Sequence, residues 1–362
     1  MADHNDKISD SFNAALIRSN EIKADLEINP EKYRMLTGDR PTGNLHIGHL
    51  FGSLQNRVNL QNKGLTVFVV IADYQVLTDH DTTEMIAPSV FEIVLDYLAA
   101  GLDPENHKTY IFPHSHVPEL NQLLLPFLNL VTNSELDRNP TVKEEIQAAR
   151  KKVINAGMYT YPIHQAADIL FCKGNVVPVG KDQLPHLEIT RKIARRFNER
   201  FAGNNPVFPV PDALLSNAPL IMGLDGSQKM SKSRNNAIML SATEDETAKA
   251  IKHARTDQDR NITYDPVNRP EVSNLLTLAG LALERDPADI AAEIGDGGSS
   301  KLKAVVTDAL NSCLTPFRKK RGELEQNRDY LKSVLKRGVT EARSVAELTL
   351  EQVRIAMNMK YF

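Results

Sequence analysis

The sequence predicts an α/β fold with a parallel sheet, followed by a second domain that is entirely helical. Three apolar, β-branched segments, residues 34–38, 65–72 and 108–112, alternate with segments whose apolar residues recur at helical spacing. Residues 65–72 are apolar almost without interruption, which is typical of strands buried on both faces of a parallel sheet. Strand–helix–strand units of these lengths are joined by right-handed crossovers. Only helical patterns remain beyond residues 225–240, so the domain boundary is expected there.

The individual elements follow from local signals along the chain. The first strand runs into a turn-rich loop at residues 39–43, and helical spacing begins near residue 45. Gly101 ends a helix that starts at residue 83, because glycine readily adopts the left-handed conformation that closes helices. Pro140 interrupts the helical pattern of residues 118–150. The remaining predictions are a strand at 175–179 and helices at 161–171, 182–201, 244–255, 271–283, 299–327, 329–336 and 345–359.

Length and composition restrict the classes of protein to consider. A chain of 362 residues fits about two domains, and its net charge of −3 means that any RNA contact must use local patches. Cys172 and Cys313 lack the spacing of a metal or redox site, which predicts reduced thiols in a cytoplasmic protein. No segment approaches the ~18 apolar residues of a membrane span. Residues 1–33 show neither a secretion signal nor a transit peptide, and we interpret them as an N-terminal extension with a helix at 9–26.

A phosphate-binding motif is indicated where the first strand ends. Residues 41–49 read P-T-G-N-L-H-I-G-H. His46 and His49 are three residues apart, so they share one face of the first helical turn, and the free N–H groups of a helix start attract anions. Both imidazoles can donate hydrogen bonds to phosphate oxygens, more strongly when protonated. Gly38 lets the backbone approach a ligand, and Gly48 leaves room for a ribose or adenine.

An isolated H-x-x-H pair has simpler interpretations. Most such pairs are solvated histidines at a helix start. A metal pair would need a third group of ligands, and the sequence offers no candidate. We therefore predict no metal-binding residues.

A second motif, K-M-S-K-S, occupies residues 229–233 and follows Gly223, Gly226 and Ser227. Lysine is a mobile point charge suited to β- and γ-phosphates. Attack at the α-phosphorus of ATP builds negative charge on the pyrophosphate, and fixed cations lower that barrier. A loop that closes on the nucleotide also excludes water. A basic solvated loop is the usual interpretation of K-x-x-K alone, but the full string downstream of the first motif favours an ATP site.

The two strings resemble the HIGH and KMSKS signatures of class I aminoacyl-tRNA synthetases. The resemblance implies a Rossmann-type catalytic domain at residues 34–228, and a KMSKS loop with a helical tRNA anticodon-binding domain at residues 229–362. It implies ATP as substrate with Mg²⁺, and transfer of an activated amino acid to tRNA. The implied catalytic residues are His46, His49, Lys229 and Lys232. The implied ATP-binding residues are Arg40, Pro41, Thr42, Gly48, His49, Gly180, Lys181, Asp182, Ile221, Lys229, Met230, Ser231, Lys232 and Ser233.

A candidate amino-acid site lies on the helix predicted at residues 161–171. Tyr161, Gln165 and Asp168 share one helix face. A lone Asp168 would be read as a surface carboxylate, but its apolar neighbours indicate an enclosed position. A buried carboxylate there would select a substrate with an N–H or O–H donor, because an analogue without one leaves it unpaired.

The string Y-P-x-x-x-A-A-D-I-L around Asp168 resembles the tryptophan and tyrosine members of the class. Leu36 stands where tyrosine enzymes carry a tyrosine, and the spacing from Pro41 to His46 is the shorter, tryptophan type. With residues 176–198 and 254–276, these features resemble the tryptophanyl-tRNA synthetases across residues 34–360. The resemblance implies that Asp168 binds the indole N–H of L-tryptophan. The implied tryptophan-binding residues are Leu36, Gly38, Tyr161, Gln165, Asp168 and Gln183.

Several positions depart from the family pattern, and they leave alternative functions open. Arg40, His49, Glu145, His164 and Gln165 replace the residues usual there, which indicates a divergent member or an auxiliary copy. One alternative is a tyrosine–tRNA ligase, since Gln165 is a feature of those enzymes. Another is an RNA-binding or regulatory paralogue, which should carry damaged ATP motifs. A third is a stand-alone adenylating enzyme, which should lack the helical domain.

The resemblance also implies partners: tRNA(Trp) and a second copy of the chain in a homodimer. Residues 112–155 would supply much of the dimer interface. The apolar candidates there have intrachain core as an equal alternative, and they are Leu120, Leu123, Leu124, Leu125, Phe127 and Leu128. The basic run Arg318-Lys319-Lys320-Arg321 could contact RNA phosphates or form a solvated helix face.

Overall fold

The computed structural model describes residues 2–78, 80, 82–143, 154–180, 183–215, 221–226 and 229–362, and the side chains from residue 12 onward within them, except that of Ser233. Glu145, Lys181 and Asp182, singled out in the sequence, lie outside the described residues.

Five parallel strands form one sheet, as the alternation of strand and helix patterns predicts. They are β1 (Arg34–Asp39), β2 (Thr66–Ile71), β3 (Thr109–Pro113), β4 (Val176–Val179) and β5 (Asp212–Leu215), in the order β3-β2-β1-β4-β5. The predicted α/β class is therefore confirmed. Sequence reasoning missed β5, whose four residues are too few to show a strand period.

The continuous apolar pattern of β2 reflects burial on both faces of the sheet. Phe68 and Val70 belong to one hydrophobic cluster, whereas Val67, Val69 and Ile71 belong to the other. Side chains alternate between the faces of a strand, so a strand covered on both sides needs apolar residues at every position. This is the physical reason that residues 65–72 were readable from the sequence.

Helices cover the sheet and build the C-terminal region. Most predicted helices are present, but the two predicted at 329–336 and 345–359 form one helix, and a short helix after residue 286 was missed. The described helices are α1 (Ala2–Leu26), α2 (Ile47–His49), α3 (Gln55–Asn62), α4 (Ile86–Ala99), α5 (Pro118–Asn121), α6 (Leu124–Leu128), α7 (Asn133–Asp137), α8 (Ala156–Leu170), α9 (Leu184–Phe197), α10 (Glu244–His253), α11 (Pro270–Leu283), α12 (Pro287–Ile294), α13 (Gly298–Glu325) and α14 (Arg328–Ala356).

The first and last of these helices cover the two edge strands. Ser19 of α1 is fully buried, and its Oγ accepts a hydrogen bond from the backbone N–H of Leu215 in β5 at 2.9 Å. At the other edge, α14 approaches β3 so closely that a Cβ on Gly338 would lie 1.9 Å from the carbonyl oxygen of Ile111. Helix α1 therefore packs on the sheet at β5. It begins earlier in the chain than the predicted helix at 9–26 and ends at the same residue.

The apolar segment proposed for a dimer interface divides between core and surface. Leu120, Leu123 and Phe127 are fully buried within this chain, whereas Leu125 is 70% exposed. The core interpretation therefore holds for the three buried residues. Among the described residues, no helix is both long enough and apolar enough to cross a bilayer.

Candidate active site

The first motif begins directly after β1, and Gly180 directly follows β4, so these predicted site residues lie at the carboxyl ends of parallel strands. The chain places β2 and β3 on one side of β1, and β4 and β5 on the other. Open parallel sheets bind ligands at such a switch point, where loops diverge and leave a crevice. Gly38 lies at the end of β1, and a Cβ there would meet the carbonyl oxygen of Val70 at 2.0 Å. Strand packing itself therefore requires this glycine.

Residues 40–49, which we call the histidine loop, hold two imidazoles in contact. The ring centroids of His46 and His49 are 3.9 Å apart. Nδ1 of His46 accepts from the backbone N–H of Gly48 at 3.1 Å, and Nδ1 of His49 accepts from the backbone N–H of His46 at 3.2 Å. Because both Nδ1 atoms are acceptors, a neutral ring carries its proton on Nε2. Each histidine thus keeps one N–H donor for a ligand.

The two imidazoles are neutral donors. Burial lowers the pKa of His46 to about 3, with further lowering by His49 and the nearby lysines. Burial also lowers the pKa of His49, although Asp39 acts in the opposite direction. The expectation that protonation strengthens their hydrogen bonds to phosphate does not apply at neutral pH. Gly48 is needed for the pair, since a Cβ there would lie 2.9 Å from the ring of His46.

A buried ionic cluster anchors the start of the histidine loop, and sequence reasoning missed it. Asp39 accepts hydrogen bonds from Arg57 Nη1 and from the Tyr97 hydroxyl, both at 2.6 Å. Burial raises the pKa of the Asp39 carboxyl, but the charge of Arg57, the neighbouring His49 and the hydrogen bonds from Arg57 and Tyr97 together outweigh it, and the net pKa falls to about 2. Asp39 therefore stays ionised and fixed by its partners.

The second motif folds onto the first. Lys232 Nζ donates a hydrogen bond to the carbonyl oxygen of Thr42 at 3.1 Å, and a Cβ on Gly43 would lie 3.3 Å from the same nitrogen. Burial lowers the pKa of Lys232. Lys229 is exposed, whereas Met230 is buried and its N–H bonds to the carbonyl oxygen of Ile221 at 3.0 Å. Residues 229–233, the lysine loop, thus place one lysine at the histidine loop.

The remaining predicted nucleotide-binding residues vary in exposure. Pro41 and Ile221 are buried, Arg40 is half-buried, and Thr42 and Gly180, the latter just after β4, are exposed. Ser231 donates its backbone N–H to Asn236 Oδ1 at 2.9 Å, which ties the lysine loop to the segment after it.

A second group of predicted site residues surrounds Asp168 of α8, which is 2% exposed, and we call this polar cluster the Asp168 pocket. Asp168 Oδ1 lies 3.4 Å from Nδ1 of the fully buried His114, and neither atom has a hydrogen-bond partner among the described residues. His114 Nε2 accepts from the backbone N–H of Tyr74 at 2.8 Å, so a neutral ring carries its proton on Nδ1, facing Asp168. Buried polar atoms are rarely left unpaired, which indicates that this pocket takes a ligand with a donor.

Two further histidines line the same helix. His164 stacks on His114 with ring centroids 4.7 Å apart, and its Nε2 bonds to Asn121 Oδ1 at 2.7 Å. The Tyr161 hydroxyl bonds to Nε2 of the buried His186 at 2.9 Å. Sequence reasoning singled out neither His114 nor His186 as a site residue. Their partners lie in other elements, so no local spacing reveals them.

Of the other residues predicted to bind tryptophan, Leu36 is buried, and Gln165 of α8 and Gln183 just before α9 are half-buried. Ligand-type atoms of His114, His164 and Asp168 lie within 4.8 Å of one another, a cluster that could hold a metal ion. The sequence predicted no metal ligands. The two rings are tilted by only 31° as they stack, so their ring planes run side by side rather than converging on one point.

The basic run predicted to contact RNA is divided by the fold. Arg318 and Arg321 of α13 form hydrogen bonds inside the protein, with the carbonyl oxygen of Ala242 and with Asp96 Oδ1. Lys319 and Lys320 are exposed. Only the two lysines are therefore available to RNA phosphates.

Comparison with known proteins identifies similar chains. The sequence model for tRNA synthetases class I (W and Y) matches residues 29–315. The chain is 44% identical over 342 residues to the tryptophan–tRNA ligase of Lactococcus lactis, covering 91% of this chain and 99% of the relative. It is 43% identical over 343 residues to that of Streptococcus mutans, covering 91% and 98%. The tryptophanyl-tRNA synthetase of Campylobacter jejuni, solved with ADP and tryptophan, superposes with a TM-score of 0.77 at 29% identity, covering 90% of this chain and 99% of that chain.

Proposed function

The chain belongs to the tryptophan–tRNA ligases, within the class I tRNA synthetases for W and Y, and from this premise we propose which of its residues carry each step. The ligase joins L-tryptophan to ATP as tryptophanyl-adenylate, releases pyrophosphate, and transfers tryptophan to tRNA(Trp). The relatives that share 43–44% of its residues carry this name, which disfavours the tyrosine and the stand-alone alternatives. The intact ATP motifs disfavour a purely regulatory role.

The observation that carries the ATP assignment is the contact between the two loops. Lys232 Nζ reaches the carbonyl oxygen of Thr42 at 3.1 Å, so its ammonium group lies over the loop that presents the Nε2–H donors of His46 and His49. Neutral N–H donors and a lysine cation together suit a triphosphate. In this proposal the histidines orient the α- and β-phosphates while Lys232 stabilises the charge that develops on pyrophosphate. Exposed Lys229 adds a second cation when the loop closes.

The nucleotide site is completed by residues around the switch point of the sheet. In this proposal they contact ribose, adenine and phosphates mainly through backbone groups, as half-buried and glycine positions suggest. They are Arg40, Pro41, Thr42, Gly48, Gly180, Lys181, Asp182, Ile221, Met230, Ser231 and Ser233.

Mg²⁺ accompanies ATP in this family. Two described carboxylates lie at the histidine loop, and both are already engaged: Asp39 by Arg57 and Tyr97, and Asp96 by Arg321 and the N–H of Leu45. Because Mg²⁺ prefers oxygen ligands, this set does not suit a protein-held ion. We propose that Mg²⁺ enters on the phosphate oxygens of ATP, as part of the substrate.

The Asp168 pocket is assigned to the indole ring of tryptophan. An indole N–H is a donor without an acceptor, which matches a buried Oδ1 that has no hydrogen-bond partner among the described residues. His114 Nδ1 lies 3.4 Å from the same oxygen. The side-by-side rings of His114 and His164 favour a flat aromatic substrate over a metal ion in this pocket. Tyr161, Gln165 and Gln183 are proposed to hold the amino-acid head group, with Leu36 and Gly38 below it.

The helical region after residue 229 is proposed to bind tRNA, with Lys319 and Lys320 on phosphates. A homodimer is proposed as well, with Leu125 in its interface, because a leucine that is 70% exposed between buried neighbours is a candidate contact. A cytoplasmic location is proposed too, since ATP and tRNA are both present in that compartment.

The direct test is ATP–pyrophosphate exchange with tryptophan or tyrosine as the sole amino acid. We expect exchange with tryptophan alone. Exchange with tyrosine alone would reassign the site around Gln165 to tyrosine. No exchange with either amino acid would favour the regulatory alternative.

A further inference from the structure

A buried aspartate joins the histidine loop to the C-terminal region. Asp96 of α4 is fully buried. One carboxylate oxygen accepts a hydrogen bond from the backbone N–H of Leu45, at 3.0 Å. The other accepts from Nε of Arg321 in α13, also at 3.0 Å. Arg321 also contacts Glu92, one turn earlier on α4. Leu45 immediately precedes His46, so the chain of contacts ends at the first imidazole.

The same helix holds the other neighbour of the histidine loop. Residues 238–240 run beside the loop, where the N–H of Ile47 donates to Ile238 and the N–H of Leu240 donates to Leu45, both at 2.9 Å. Directly after them, the carbonyl oxygen of Ala242 accepts from Nε of Arg318 at 2.9 Å. Arg318 also bonds to Thr247 Oγ1 at 2.8 Å. Helix α13 therefore secures both segments that flank Leu45.

We propose that Arg321 is a positioning residue for the adenylation step, acting through Asp96 on the backbone of Leu45 and so on the Nε2–H donors of His46 and His49. This inference rests on the proposed ATP role of those histidines. Arg321 touches no substrate in this account. Its guanidinium makes the Asp96 carboxylate tolerable in the interior, and that carboxylate in turn fixes the N–H that precedes the first imidazole.

The buried ion pair of Asp96 and Arg321 needs both of its partners. A buried charge that loses its partner is strongly destabilised, so Asp96 without Arg321 would take up a proton or turn toward water. In either event its hydrogen bond to Leu45 weakens, and the loop gains freedom where phosphate donors must be fixed. Shifts of about 1 Å in such positioning groups cost on the order of 100-fold in rate.

The test compares Arg321→Met, Asp96→Asn, Arg321→Gln and the double variant Asp96→Asn with Arg321→Gln. In Asp96→Asn the amide oxygen can accept from Leu45, but the amide nitrogen then faces Arg321 Nε. Both of these nitrogens are hydrogen-bond donors, so neither can accept from the other. In the double variant the glutamine oxygen can accept from that nitrogen, while the asparagine oxygen still accepts from Leu45. We expect each single variant to lower kcat/KM for ATP in pyrophosphate exchange by about 10- to 100-fold. The double variant should recover most of that loss.

Tryptophan binding is the second readout. A general structural defect would weaken it, whereas loss of a positioning contact at the histidine loop should not. The chain contains no tryptophan, so ligand fluorescence reports its Kd, which should stay within about twofold in all four variants. Phe317→Leu, one turn away on α13 and buried in the same interface, is the matched control and should leave the ATP kinetics unchanged.

The outcomes separate this inference from the assigned function. Normal ATP kinetics in Arg321→Met, equal losses in Phe317→Leu, or no recovery in the double variant would each overturn it. If Arg321→Met does not fold, the soluble pair of Asp96→Asn and its double variant decides the question. A wild-type protein without tryptophan-dependent exchange would instead overturn the proposed function.

Discussion

Substitution of Asp168 by asparagine removes one charge from the indole pocket while preserving its volume. The carboxylate is 2% exposed, and its Oδ1 lies 3.4 Å from His114 Nδ1 and has no hydrogen-bond partner among the described residues. The proposed indole N–H would therefore be its main donor. Hydrogen bonds to charged groups contribute roughly 1.5–3 kcal/mol and neutral ones roughly 0.5–1.5 kcal/mol, and the asparagine oxygen can still accept. The loss is therefore about 1–1.5 kcal/mol, and since about 1.4 kcal/mol is tenfold in affinity, we expect the Kd for tryptophan to rise about 5- to 12-fold.

The assay compares tryptophan with an analogue in which sulfur replaces the indole N–H. Wild-type protein should bind the analogue more weakly by a similar factor, because the carboxylate is then left unpaired. In Asp168→Asn the preference for tryptophan over the analogue should shrink, because a neutral amide oxygen is a weaker acceptor than a carboxylate. Fluorescence titration measures tryptophan binding, and competition against tryptophan measures the analogue.

A matched control is Asp96→Asn, which neutralises another buried aspartate but lies at the histidine loop. It should keep the wild-type preference for tryptophan over the analogue. The reasoning fails if Asp168→Asn also keeps that preference, because the carboxylate would then not be the indole partner.

Three further perturbations test other parts of the molecule. Lys232→Ala should reduce adenylation by about 100-fold or more through loss of one transition-state charge, and near-normal pyrophosphate exchange would contradict its role. Because burial lowers the pKa of His46 to about 3, the unfolded chain binds a proton that the native protein excludes. As the pH falls below about 6.5, the free energy of unfolding should therefore decrease, by at most about 1.4 kcal/mol per pH unit for this group. Urea titrations should show that stability depends less steeply on pH in His46→Asn than in the wild type. An equal pH dependence in the two proteins would refute this prediction. Gly338→Ala should destabilise the protein by about 1–3 kcal/mol through overpacking, whereas Gly322→Ala on α13, where a Cβ meets nothing within 4 Å, should not; equal stabilities would exclude the close approach.

The sequence predicted those features whose cause is local. Burial on both faces leaves its mark on every residue of β2, and the spacing of His46 and His49 places them on one helical turn. The parallel direction of four strands followed from their lengths and connections, whereas their order in the sheet was not predicted. Strand β5 escaped because four residues carry too little pattern.

The missed features depend on contacts between distant segments. The pKa of His46 depends on the burial of its ring in a loop that runs beside residues 238–240. No sequence motif indicates that burial. Arg321 and Asp96 are 225 positions apart, so Arg321 read as part of a basic run for RNA. His114 likewise gains its role only from Tyr74 and Asp168, which lie on other elements.

The covering of the two edge strands bears on how the chain is made. Synthesis proceeds from the N-terminus, and domains begin to fold as they emerge. All five strands and α1 are available once residue 215 has left the ribosome, but β3 gains its cover only when Gly338 of α14 arrives. During that interval β3 offers unpaired backbone groups to any neighbouring chain, which is the usual starting point of aggregation. The time needed to add the C-terminal helices is therefore the period in which a nascent chain most needs a chaperone.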